Sequence, residues 1–274
     1  NQIDNLDPVG WGIGILVYNN FYADISENVI TRTRVGVQTG NYSQANPGSV
    51  ARIANNHIED SRRGLFYNLM YSSSSAFEVV GNEFIGLPAA TPSFGILISS
   101  IQSATPTFFE DNHISGFTYG VSFWNAPTTS TVTYKGGLIE DCDYGIFPNN
   151  YDGYNSNGDS QVVAIEGVTI QNSKLAAIYV KDNPSNSNAA TVVLNVLGGN
   201  NLINNPVDFL ITGPDARMHL DASMTGTFLW NVSDTSIQAA IDEANAGDTI
   251  VVLPGIYTET LTINKRVNLI GSGN

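Results

Sequence analysis

The sequence predicts an all-β parallel solenoid of seven to nine stacked coils, with one short capping α-helix near residues 236–246. Three observations lead there. One phrase recurs along the chain: Asn, any residue, an aliphatic and then, eight residues after the Asn, a Gly followed by an aliphatic. The stretches beside each Gly alternate with period two, as Gly-Ile-Leu-Ile (95–98) and Gly-Val-Ser-Phe (120–123) do, which marks half-buried strands. Successive glycines, Gly36, Gly64, Gly95, Gly120 and Gly145, stand 28, 31, 25 and 25 residues apart, room for three short strands per unit. A unit of that size cannot bury its apolar side alone, whereas copies stacked about 4.8 Å apart and paired in parallel can.

The elements follow in order. The chain starts in mid-coil, with Gly12-Ile13-Gly14-Ile15 already in the repeat. Asn28-Val29-Ile30 leads to Gly36-Val37, Asn56-His57-Ile58 to Gly64-Leu65, and Asn112-His113-Ile114 to Gly120-Val121. Between them, Asn82-Glu83-Phe84 reaches Gly95-Ile96 through an insertion holding Pro88 and Pro92. Gly137-Leu138-Ile139 leads to Gly145-Ile146, and Val168-Thr169-Ile170 with Ala177-Ile178 is a degenerate copy. One inward ladder is then Ile13, Val37, Leu65, Ile96, Val121, Ile146 and Ile178; a second is Ile30, Ile58, Phe84, Ile114, Ile139 and Ile170. Residues 1–211 are assigned to these coils and 212–234 to a connection.

Residues 235–274 read differently. Ile237, Ala240, Ile241 and Ala244 form the apolar side of a short helix that Asp234, Thr235 or Ser236 can cap and Gly247-Asp248 ends. A buried strand follows at 249–253, Pro254-Gly255 turns the chain, and 260–263 and 267–270 alternate as two more strands.

With these motifs in hand, the sequence resembles the right-handed parallel β-helix proteins of the pectin-lyase-like superfamily over roughly residues 10–211. Residues 235–271 resemble the opening of such domains: capping helix, first strand, Pro-Gly-x-Tyr turn, then paired strands. An opening segment at this end of the chain leaves two placements open. It begins a next unit or caps a neighbour, or it folds back as the cap of the same solenoid. The resemblance implies a secreted or cell-surface bacterial repeat protein. It would also carry catalytic signatures, yet neither the polygalacturonase motifs (Asn-Thr-Asp, Asp-Asp, Gly-His-Gly, Arg-Ile-Lys) nor the pectate-lyase ones occur. No catalytic residue is assigned.

Composition narrows the partners. The chain has 25 Asp and Glu against 11 Lys and Arg, net charge −14, and a charged fraction of only 13%. Such a surface repels nucleic acid and anionic membranes, and no apolar run reaches the roughly 18 residues of a membrane-spanning helix. Residues 1–20 lack a signal peptide's basic start and apolar run, so the chain is expected to be mature or cut from something longer. The single Cys142 excludes an internal disulfide framework.

Candidate sites are few. Arg32, Arg34, Arg62 and Arg63 cluster in two successive coils, where guanidinium groups could grip the carboxylates of an acidic polysaccharide. Arg32 shares a register with Asp60, and Arg34 with Arg62. Phe94, Tyr119 and Tyr144 each precede their coil's Gly and would stack in successive layers, and Phe66, Leu97, Phe147 and Tyr179 stand two after that position, nominally outward. Such a strip suits a neighbouring subunit, a sugar platform or a covering loop, and Tyr119 and Tyr144 are glycan-binding candidates. The acidic pairs Glu59-Asp60 and Glu140-Asp141 lie three layers apart, about 14 Å, too far for one active site. Glu110-Asp111 lies elsewhere in its coil. Asp152, Asn155, Asn157 and Asp159 resemble a calcium loop with the wrong spacing, so a polar turn is the simpler reading and no cofactor is expected beyond a possible Ca²⁺. Ile237, Ile241, Ile250, Val252, Ile263 and Leu269 are assigned to assembly. The expected function is structural and adhesive: an extracellular segment joining copies of itself end to end. A polysaccharide lyase or hydrolase, or a glycan-binding adhesin, is the alternative.

Overall fold

A computed structural model describes residues 1–7, 10–18, 23–41, 51–69, 77–87, 91–99, 107–124, 132–149, 161–182, 192–212, 216–221, 223–224, 226–231, 236–244, 246–247, 249–252 and 256–271. The strands follow one another in threes. They are β1 (Gln2–Asp7), β2 (Ile13–Tyr18), β3 (Ala23–Ser26); β4 (Val29–Thr33), β5 (Val35–Asn41), β6 (Ala51–Ala54); β7 (His57–Ser61), β8 (Arg63–Leu69), β9 (Phe77–Val80); β10 (Glu83–Gly86), β11 (Phe94–Ser99), β12 (Thr107–Glu110). Then come β13 (His113–Ser115), β14 (Tyr119–Trp124), β15 (Val132–Lys135); β16 (Leu138–Glu140), β17 (Tyr144–Asn149), β18 (Gln161–Glu166); β19 (Thr169–Gln171), β20 (Ala176–Lys181), β21 (Val192–Val196); β22 (Asn201–Ile203), β23 (Phe209–Thr212), β24 (Ala216–Leu220). The first of each three pairs in parallel with the first of the next, and likewise the second and third. The result is three parallel sheets, A, B and C, of eight, eleven and eight strands, wound as a β-solenoid.

Each repeated residue has a local cause. Asn28, Asn56, Asn82 and Asn112 are buried at the turn into sheet A and form a hydrogen-bonded column. Each Nδ2 of the first three donates to the Oδ1 of the next at 2.9 Å, as does each backbone N–H at 3.0 Å. The stacked amides thus take the backbone N–H of each preceding Asn, while the rest of the turn's backbone bonds to the next coil. The glycines stand where successive backbones nearly touch. A Cβ on Gly64 would lie 2.6 Å from the Gly95 carbonyl oxygen and 2.5 Å from Phe84. Turn residues before and after sheet A adopt left-handed backbone, among them Asp60, Asp111 and Asp141 at φ of 53°, 51° and 54°. Short polar side chains tolerate that conformation, which explains why an Asp recurs as the second member of each acidic pair.

The ladder Ile30, Ile58, Phe84, Ile114, Ile139, Ile170 is in register and buried as expected. The other ladder holds from Val37 to Ile178, but its first member is Ile15, not Ile13, because Gly14 rather than Gly12 stacks on Gly36. Connections from sheet C to sheet A hold two residues from 27–28 to 167–168 and four at 197–200, whereas those from B to C run from three residues (213–215) to eleven (150–160).

Beyond β24, sheet B alone continues through β25 (Thr227–Asn231), β26 (Thr249–Val252) and β27 (Asn268–Gly271). Between β25 and β26 lies helix α1 (Ile237–Glu243), capped by Ser236 and shorter than the sequence suggests. Ile237, Ala240, Ile241 and Ala244 join the same apolar core as the coils, so the segment covers the end of its own solenoid. Residues 260–263 are not a strand. The Gln238 side chain takes Thr262's N–H and donates to its carbonyl, standing where a neighbouring strand would be.

Candidate functional site

Register brings the chemistry of sheet B's outward face into columns. Arg63, Phe94, Tyr119 and Tyr144 are direct neighbours on successive strands, and so are Ser99, Trp124, Asn149 and Lys181. The two columns bound a cleft of about 340 Å³ lined by Arg62, Arg63, Pro92, Phe94, Tyr119, Trp124, Phe147, Asn149 and Lys181. Its wall is a stack of rings. Phe94 lies on Tyr119 with centroids 5.3 Å apart, Tyr119 on Phe147 at 4.2 Å, and Trp124 meets Phe94 edge-on at 5.4 Å. Tyr144 stacks on Tyr119 and Tyr179, extending the wall beyond the cleft.

Cations sit at its two ends. The Arg63 guanidinium lies 5.1 Å over Phe66 and 5.9 Å from Phe94, an arrangement that holds a charge against a ring face. Arg62 donates Nε–H to the Pro92 carbonyl at 3.0 Å. Lys181 stands four strands further on, roughly 19 Å along the axis at the usual strand spacing. No carboxylate lines the cleft among the described residues, so this region is locally positive on a chain of net charge −14. Asn149 Oδ1 is buried and has no donor among the described residues. Burial pushes the Tyr119 hydroxyl up to about 12, which keeps it a neutral donor rather than a base at neutral pH.

The remaining candidates fall elsewhere. Arg32 pairs with Asp4 of the preceding coil, not with Asp60, whose charge acts on it only at longer range. Arg34 stacks on the exposed Trp11 at 4.4 Å, and Arg62 turns to Pro92, so the two do not converge on an anion. Asp152, Asn155, Asn157 and Asp159 lie outside the described residues. Among those described, no cluster of three metal-ligating side chains occurs. Ile237, Ile241 and Ile250 are buried in this chain's own core and Val252 is half-buried against it. Ile263 and Leu269 are 57% and 40% exposed. Trp124, Asn149 and Lys181 were not foreseen; each stands four residues after its coil's Gly or Ala, the only signal that joins them.

No described helix is long and apolar enough to cross a membrane. Comparison with known proteins yields no match to a family model, to a curated protein or to a solved structure.

Proposed function

We propose that this chain is a rigid adhesive module that holds an acidic oligosaccharide along the outward face of sheet B. The observation that carries the reading is the cleft: stacked aromatic faces suited to sugar rings, between Arg62 and Arg63 at one end and Lys181 at the other. Aromatic faces take the apolar sides of pyranose rings, and guanidinium groups take carboxylate or sulfate in a fork. A chain of sugars lying parallel to the axis would meet one ring per layer or so, with its charges at the cleft's ends. Asn149 Oδ1 would accept from a hydroxyl. The likeness to pectin-lyase-like β-helices, a bacterial source and an extracellular setting belong to this same proposal, on the strength of the repeat motifs.

Calorimetric titration with oligouronates and sulfated oligosaccharides tests it. Binding should weaken about tenfold in Tyr119→Ala and again in Arg63→Ala. Equal affinity in both variants and the parent would refute it. Release of unsaturated or reducing ends during the titration would instead make the cleft a lyase or hydrolase site. A second reading, end-to-end association of copies, is favoured by the exposed Leu269 and Ile270 of β27 and by Ile263 before it. Sedimentation at rising concentration distinguishes it.

A further inference from the structure

On the face of sheet A, away from the cleft, two imidazoles and three carboxylates alternate across successive strands. His57, Glu83 and His113 are direct neighbours on β7, β10 and β13. His57 Nδ1 lies 2.6 Å from Glu83 Oε2 and its Nε2 lies 3.3 Å from Glu59 Oε2. His113 Nδ1 lies 3.5 Å from Glu83 Oε1 and its Nε2 lies 2.8 Å from Glu140 Oε1. Gln171 on β19 closes the column by donating to the other Glu140 oxygen at 2.8 Å.

Every ring nitrogen therefore faces a carboxylate oxygen. A neutral imidazole has one N–H and one lone pair, so one of its two nitrogens would confront an anion with no proton between them. Only the protonated ring donates in both directions. The other groups facing the column are uncharged: Val29 and Thr31 from β4, Leu138 from β16, Thr169 from β19. Arg32, at the end of β4, is engaged by Asp4.

We infer that this column is a proton-operated brace: the His57 imidazolium bridges Glu83 and Glu59 and fastens β7 to β10, His113 between Glu83 and Glu140 extends the column to β13 and β16, and loss of the His57 proton unfastens it. The His57 proton offsets part of the negative charge of Glu59, Glu83 and Glu140, and its loss leaves the three carboxylates to repel one another across the face. Partial burial draws the His57 imidazole down, but the hydrogen bonds to Glu83 and Glu59 outweigh it and hold the ring above its ordinary 6.5. A raised value in the folded state means stabilisation that is complete below the unfolded chain's value and lost as pH rises through the folded one. The braced layers also carry Arg63, Phe94, Tyr119 and Phe147 on sheet B.

Thermal unfolding at about pH 6 and about pH 8, with imidazole titration by NMR, tests the brace. The parent should melt about 2–4 °C higher at the lower pH. The gap should close in His57→Gln. A His57→Gln variant with the parent's gap overturns the inference. Should that variant not fold, the parent's titration decides: a His57 midpoint at or below 6.5 overturns the inference, and one above supports it.

Discussion

Gly120 shows how tightly single residues are held. A Cβ there would lie 2.6 Å from the Gly145 carbonyl oxygen and 2.6 Å from Ile139 Cγ2, and neither backbone nor ladder can retreat. Gly120→Ala is expected to lower stability by about 1–3 kcal/mol, read from the denaturant midpoint. The Asn-to-Gly interval was legible in the sequence for this reason: both residues answer to backbone geometry that repeats in every coil, so their identity repeats too. The same logic misplaced Ile13, because Gly12 and Gly14 fit the phrase equally and only the contact with Gly36 separates them. The cleft was half legible. Tyr119 and Tyr144 repeat a residue type, whereas Ser99, Trp124, Asn149 and Lys181 share a register and nothing else. Outward positions face water or ligand, so nothing forces neighbours there to be alike.

Among elements, α1 depends on residues far along the chain. Glu259 accepts from the Ser236 hydroxyl and from the backbone N–H groups of Ile237 and Gln238 at 2.7, 2.8 and 3.1 Å. Lys265 Nζ donates to the carbonyls of Asp242 and Ala244, both at 2.8 Å. The free donors of the first turn and free acceptors of the last are thus met by opposite charges. Slight burial draws the Glu259 carboxyl up, but its three donors outweigh that and hold it below the ordinary 4.5. Its contribution is therefore present above the unfolded chain's value and lost as pH falls through the folded one. Hydrogen exchange at the α1 amides should quicken as pH drops below about 4.5, beyond the intrinsic pH effect, and Glu259→Gln should show the faster exchange at neutral pH. The helix itself was readable from Ile237, Ala240, Ile241 and Ala244. Its staples were not, since contacts across more than 20 residues leave no period behind.

At the scale of the whole molecule, stability accumulates layer by layer, each coil touching only its neighbours. Where extra chain can enter is then unequal. A flexible tract of about ten residues placed within 125–131 should leave the melting temperature almost unchanged, because loop closure grows only slowly with length. The same tract between Gly136 and Gly137 should abolish cooperative unfolding, since both lie in a two-residue turn against Asp111 and Asn112. The asymmetry between a fixed corner and a variable one has an evolutionary consequence. Descendants can be lengthened, shortened or decorated beside the aromatic face without renegotiating the scaffold, so a lineage can vary that face while inheriting its skeleton intact.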